Sequence, residues 1–148
     1  MINFTTGNIF ESNNHAIVNT VNTVGVMGKG IALKFKTLYP DNYNYYRSVC
    51  DARKLKPGSI LPFENKGLFD SLWIINFATK NHWRNPSKLE WIVNGLKELN
   101  TFLIQHPEIK SISIPGLGTS NGGLSWDDVG PLYEQYLTID IKIDVYYK

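Results

Sequence analysis

The run Val18-Asn19-Thr20-Val21-Asn22-Thr23-Val24-Gly25-Val26-Met27-Gly28-Lys29-Gly30-Ile31-Ala32 constrains this chain more than any other. An apolar strand passes two asparagines and a glycine-rich turn, and the turn opens an amphipathic helix, which makes the run one unit of an α/β succession. The same order supplies carboxamides that read hydroxyls, backbone N–H groups bare enough to hold phosphate, and a helix N-terminus that favours negative charge. It reads as a site for a nucleotide diphosphate.

The remaining sequence continues the alternation. Residues 2–6 and 16–19 have strand content, and Ile31, Phe35 and Leu38 then recur at helical spacing. Pro40 breaks that helix, and Tyr43, Tyr46 and Cys50 line a second one ahead of the turn Lys56-Pro57-Gly58. Residues 60–63 and 73–77 read as strands around a turn at 65–67. Ser87 and Glu90 have the spacing of a capping box at the head of the apolar stripe Leu89, Ile92, Val93, Leu96, Leu99 and Leu103. A strand at 111–115 runs straight into a second glycine-rich run, 116–123. Ser125 with Asp128 caps a helix that turns Val129, Leu132, Tyr133 and Tyr136 inward, and 139–146 is a closing strand. Strands interleaved with helices predict a three-layer α/β/α sandwich with a mixed central sheet.

With 148 residues, 43% hydrophobic and 13% aromatic, the chain has material for one core, so a single domain over 1–148 is expected. The one cysteine, Cys50, excludes an intramolecular disulfide and multi-cysteine metal sites, and His15, His82 and His106 fall at no metal-binding spacing, so no metal is expected. The first residues do not resemble a signal peptide and the apolar runs are far shorter than a membrane span, which predicts a cytoplasmic protein without membrane attachment; a monomer is expected. A net charge of +2 falls short of the basic footprint of a dedicated DNA binder, though nucleic acid can still be a substrate.

The two glycine-rich loops should open side by side at the carboxyl edge of the sheet and face one ligand. Gly25 to Gly30 lacks the terminal Lys-Ser/Thr pair of a Walker A loop. Gly116-Leu117-Gly118-Thr119-Ser120-Asn121 begins like a dinucleotide fingerprint but carries Asn121 where the third glycine belongs. Simple NTPase and Rossmann dehydrogenase chemistry are both disfavoured.

At these residues the chain resembles the macrodomains, over nearly its full length: Thr6-Gly7-Asn8-Ile9, residues 18–32, 76–84 and 115–124. Val21 to Gly30, Thr79-Lys80-Asn81-His82-Trp83-Arg84 and Asn121-Gly122-Gly123-Leu124 are most similar to the DarG type, antitoxins that remove ADP-ribose from DNA bases and are related to lysine-dependent terminal ADP-ribose glycohydrolases. The resemblance implies a macrodomain-like fold, ADP-ribose as ligand or product, and no cofactor. It implies adenine at Asn8 and Ile9, the distal ribose at Thr20, Asn22, Gly25, Val26, Met27, Gly28, Lys29, Gly30 and Ile31, and the diphosphate at Pro115, Gly116, Leu117, Gly118, Thr119, Ser120, Asn121 and Gly122. The implied partners are ADP-ribosylated single-stranded DNA and a DNA ADP-ribosyltransferase toxin. DarG-type antitoxins commonly carry a further domain that blocks the toxin, and no part of these residues is expected to form one.

Each residue has a plainer role beside the functional one. Asn22 can bond the ribose hydroxyls or satisfy turn backbone at a strand end, as can Asn19. The glycines can admit a ligand or merely serve the turn. Asn8 stands where many macrodomains have aspartate; its carboxamide oxygen can accept from the adenine amino group, or cap a helix. Lys80 can attack the anomeric carbon as a neutral amine, stabilise charge as the glycosidic bond breaks, or lie solvated in a loop. His82, Trp83 and Arg84 suit contact with a substrate base, while the plain alternative packs Trp83 under its loop. Unlike some lysine-using relatives, the second loop has no carboxylate from 116 to 124.

With Lys80 and Asn22 as catalytic residues, the reading that follows is an ADP-ribosyl glycohydrolase acting on a DNA base, thymine in single-stranded DNA. The alternatives are hydrolysis of ADP-ribose esters on acidic protein side chains, a non-catalytic ADP-ribose reader, and a phosphatase of ADP-ribose 1''-phosphate.

Overall fold

A computed structural model describes residues 2–148. Strands β1 (Ile2–Thr5), β2 (Ala16–Asn22), β3 (Ile60–Lys66), β4 (Ser71–Lys80), β5 (Ser111–Pro115) and β6 (Lys142–Tyr146) form one sheet in the order β1-β6-β5-β2-β4-β3. Every pair is parallel except β3 with β4, so the sheet is mixed. β2 and β4 are nearly continuous buried runs, as strands covered on both faces must be.

Side-chain alternation along these strands feeds two cores. On one face Ala16, Val18, Ile75 and Phe77 pack against Ile92, Leu96, Leu99 and Leu103 of α3 (Leu89–Gln105) and Val129 and Tyr133 of α4 (Trp126–Tyr136). On the other, Ile17, Val21, Ile74 and Ala78 meet Phe35 of α1 (Gly30–Leu38) and Tyr46 and Cys50 of α2 (Pro40–Asp51). The result is the three-layer α/β/α sandwich. Pro40, at the first position of α2, both ends α1 and starts the next helix. No helix among the described residues is long and apolar enough to cross a membrane.

Several boundaries differ from those the sequence suggests, and the differences matter for the site. β2 runs to Asn22 rather than stopping at Asn19, and β4 spans 71–80 rather than 73–77, because the parallel ladder continues beyond the apolar stretch. Lys80 is therefore the last residue of a strand, not part of a loop. Across an irregularity after Val21 it stands in register with Asn22. β3 likewise continues through residue 66, with Pro62 tolerated because this is an edge strand, and the turn is closed at Gly67 and Asp70. The last strand is shorter than 139–146; Ile139 and Ile141 instead pack against the α3/α4 core.

Ser87 is not a helix cap. Lys88 occupies the cap position of α3 without a side-chain bond, and the Ser87 N–H is drawn instead to the Gly122 carbonyl at 2.9 Å. Ser125 does cap α4, accepting from the Asp127 N–H at 3.1 Å.

Gly95 marks the closest approach of α3 to the sheet, since a Cβ there would overlap the buried Phe77 ring. Gly95→Ala gains up to about 1 kcal/mol of helix propensity but overpacks the core by about 1–3 kcal/mol. The expected outcome is a lower urea midpoint with unchanged slope; an equal or higher midpoint would show that the α3–sheet spacing is not limiting.

Candidate active site

A cavity of about 850 Å3 opens where the carboxyl ends of β2, β4 and β5 meet the N-terminus of α1. Its floor is built by Asn22. The Asn22 carboxamide oxygen accepts from the N–H groups of Val24 (3.1 Å) and Val26 (3.3 Å), and its nitrogen donates to the Val26 carbonyl at 2.8 Å. From α2 the buried Tyr46 hydroxyl reaches the Asn22 carbonyl oxygen at 2.7 Å and the carboxamide oxygen at 3.0 Å. Burial pushes this phenol's pKa far up and keeps it a donor. The turn is also tied sideways, the Thr23 N–H and hydroxyl both bonding the Asn81 carbonyl.

The turn leads into α1 through Lys29, which offers no capping side chain, so the first helical N–H groups, at Gly30, Ile31 and Ala32, have no acceptor within the helix and line the cavity. Gly30 has φ +62°, and a Cβ there would come within 3.4 Å of the Asn121 carboxamide nitrogen, which is how closely the two glycine loops approach. The second loop is held in the same manner as the first. The Tyr133 hydroxyl of α4 donates to the Pro115 carbonyl at 2.7 Å and accepts from the Leu117 N–H at 2.9 Å. Below it Ser87 grips Gly122, where any Cβ would collide with the Ser87 hydroxyl and the Gly118 carbonyl.

Lys80 enters at the open end. Its ammonium donates to the Trp83 carbonyl at 3.2 Å, and burial, followed by repulsion from Lys29, holds its pKa below the ordinary lysine range. Trp83 is 44% exposed rather than packed beneath its loop, with the His82 ring and the Arg84 guanidinium beside its indole. At the other end Asn8 caps a 3-10 turn, Ile9–Glu11, accepting from the Phe10 N–H at 3.0 Å and keeping a second lone pair.

Most of the residues singled out in the sequence line this cavity: Asn8, Ile9, Thr20, Asn22, Val26, Gly28, Lys29, Gly30, Ile31, Lys80, Trp83, Pro115, Gly116, Gly118, Thr119, Ser120, Asn121 and Gly122. Gly25, Met27, Leu117 and His82 do not. Gly25 (φ +92°) backs onto Cys50 of α2, and Met27 and Leu117 turn into the two cores as plugs that anchor their loops. The His82 ring accepts from the Arg84 N–H and shapes its own turn. Arg84 lies in an adjoining recess. Asn19 is buried outside the cavity lining, its carboxamide nitrogen donating to the Asn76 carboxamide oxygen at 3.4 Å and lying 3.8 Å from the Met27 sulfur. Sequence reasoning missed Phe10, Thr79, Tyr146, Tyr147 and Lys148 in the lining, and Tyr46, Tyr133 and Ser87 behind it. The tyrosines gave a signal only as apolar helix or strand positions.

Residues 18–133 match the family model of the Macro domain. The chain belongs to the Macro domain family. Among its relatives, the DNA ADP-ribosyl glycohydrolase of Thermus aquaticus is 46% identical over 129 residues, 87% of this chain and 36% of that protein. The enzyme of that name from Mycobacterium tuberculosis is 44% identical over the same span. This macrodomain thus spans about a third of the length of the curated relatives it matches. It also superposes on the solved macrodomain of Thermus aquaticus DarG with a TM-score of 0.92 and 41% identity, covering 100% of this chain and 99% of that one. Thermosipho africanus DarTG in complex with ADP-ribose superposes with a TM-score of 0.85 and 34% identity, over 97% of this chain and 41% of that one.

Tyr46→Phe removes the donor to the end of β2 while keeping the ring. Leaving that buried acceptor unpaired should cost about 1–3 kcal/mol in urea unfolding. Amide hydrogen exchange at Val24 and Val26 should accelerate beyond the global change; uniform acceleration across the sheet would refute a local role for this bond.

Proposed function

We propose that this macrodomain is an ADP-ribosyl glycohydrolase that frees ADP-ribose from a modified DNA base, thymine in single-stranded DNA. The observation that carries the reading is Lys80, an amine with lowered proton affinity standing in register with Asn22 at the open end of a cleft whose lining includes the start of α1 and the second glycine-rich loop. Identity of 46% to a protein named DNA ADP-ribosyl glycohydrolase supports it.

In this reading adenine lies at Asn8, whose spare lone pair accepts from the amino group, with the Ile9 N–H beside it. The diphosphate rests on the N–H groups of Gly30 to Ala32 and of the second loop, in a lining that contains Lys29, Lys80 and Lys148 and no aspartate or glutamate. The distal ribose then comes between Asn22, which keeps one N–H for a hydroxyl, and Lys80. The neutral Lys80 amine attacks the anomeric carbon as the bond to the base nitrogen breaks, and that nitrogen takes up a proton. The resulting lysyl adduct, in equilibrium with its ring-opened Schiff base, is hydrolysed by water, which returns the amine and releases ADP-ribose. Water is the only co-substrate. The modification would be written by a DNA ADP-ribosyltransferase; a relative from Thermosipho africanus, 33% identical, is named a fusion of such a transferase with a glycohydrolase.

The test is release of free ADP-ribose from ADP-ribosylated single-stranded DNA, beside a glutamate-linked ADP-ribosyl protein. Lys80→Ala should lower turnover of the DNA by about 100-fold or more. Lys80→Arg keeps the charge but not the nucleophile and should be equally inactive, whereas an active arginine variant would show that the role is electrostatic. Turnover of the protein alone would move the assignment to ester hydrolysis, and retained ADP-ribose binding without any turnover would make this a reader.

Proton affinity gives a further check. Because the folded environment disfavours the charged amine, the neutral fraction at a given pH exceeds that of a solvated lysine. Single-turnover rate should therefore rise with pH and level off below the ordinary lysine range. Lys29→Gln removes the repulsion and should move that midpoint upward; an unmoved or lowered midpoint would mean that Lys29 does not tune Lys80.

A further inference from the structure

Beyond Lys80 the cleft does not end. It continues into an open recess of about 390 Å3, lined by Lys29, Lys80, Trp83, Arg84 and Asn121 together with the backbone of Gly122 and Gly123. Lys29, Lys80, Trp83, Asn121 and Gly122 border both spaces, so the recess adjoins the cleft on the far side of Lys80, where a group carried by the distal ribose would extend.

Its chemistry is one-sided. Beside the Lys80 amine the lining holds two cations, Lys29 and Arg84, and no carboxylate, in a chain that has nearly as many acidic as basic residues, 13 against 15. Among the described residues the ion pairs are His106 with Glu108 and Lys142 with Asp144, so neither Lys29 nor Arg84 is neutralised by an acidic neighbour. The Arg84 guanidinium lies 4.7 Å from the Trp83 ring centroid, a cation–π contact that steadies the group at the rim without cancelling its charge. A steadied guanidinium with its donors unspent suits the paired oxygens of a phosphate, and the exposed indole beside it offers a surface for a neighbouring base.

We propose that this recess is a subsite for the phosphodiester flanking the modified nucleotide, so that the substrate is recognised as a strand and not as a single nucleoside. The inference rests on the glycohydrolase reading above and deepens it. A strand brings a phosphate on either side of the modified base at a fixed spacing, whereas an acidic side chain of a protein brings no such regular anion next to the bond that breaks. Arg84 and Lys29 hold the phosphate, Asn121 offers its carboxamide, and Trp83 positions Arg84.

The experiment compares ADP-ribosylated thymidine, which has no flanking phosphate, with a short single-stranded oligonucleotide carrying the same modification, for the wild type and Arg84→Gln. For the wild type, kcat/KM should be about tenfold to a hundredfold higher on the oligonucleotide. Its log–log salt dependence should be steeper than that of the nucleoside by about 0.7 for each phosphate held. Arg84→Gln should collapse the ratio to within about threefold of unity; general damage to the cleft would lower both substrates together and leave the ratio standing. Equal wild-type activity on the two substrates, a ratio that survives Arg84→Gln, or a preference for an ADP-ribosylated acidic peptide over the oligonucleotide would each overturn the proposal. If the wild type cleaves neither nucleoside nor oligonucleotide, the glycohydrolase reading falls by itself. The subsite is then judged on the same ratio taken from the Kd values of the two ligands, with the same outcomes for and against.

Discussion

A phenol buried beneath α2 holds the end of β2 in place, and the geometry of the cleft depends on it. The Tyr46 hydroxyl lies 2.7 Å from the Asn22 carbonyl oxygen, while the Asn22 carboxamide spreads the constraint into the turn through Val24 and Val26. Asn22 is also the register partner of Lys80, so one buried bond relates the amine, the first glycine loop and the start of α1. An unpaired acceptor at this depth costs about 1–3 kcal/mol, a sizeable share of the roughly 5–15 kcal/mol that holds a domain folded.

The second loop is anchored by the same device from the opposite layer. Tyr133, on α4, both donates and accepts at the end of β5, as Tyr46 serves the end of β2. Each helical layer thus contributes one tyrosine, and each tyrosine fixes one glycine-rich loop against the sheet. Met27 and Leu117 add an apolar plug to each loop. Rigid backbone donors are what an anionic ligand needs, because donors already held in place are not reorganised on binding.

Much of this was legible in the chain itself. The alternation of strands and helices, the two glycine loops and the stripe of α3 all follow from local periodicity and turn chemistry. What escaped was set by pairing across the molecule. β2 and β4 each run further than their apolar content suggests because they extend one another, which converts Lys80 from a loop residue into the end of a strand. Ser87 has the spacing of a cap but stands one residue ahead of the cap position, with its N–H bonded to the Gly122 carbonyl of the second loop and its buried hydroxyl making no cap bond. Trp83, equally readable as an anchor or a platform, is exposed because the cores are filled by other side chains.

The sequence by itself determined the layer order and the place of the cleft, because both depend on residue periodicity and on where glycines permit backbone to stay bare. It also carried the residues that identify the family. Only the tertiary structure decided which of those residues face the ligand space. Gly25, Met27 and Leu117 belong to the loop motifs yet turn away from the cavity, whereas Tyr146, Tyr147 and Lys148, far along the chain, complete its wall. The reason is physical: a motif specifies a backbone path, but the direction of each side chain along that path is settled by what the rest of the fold leaves room for.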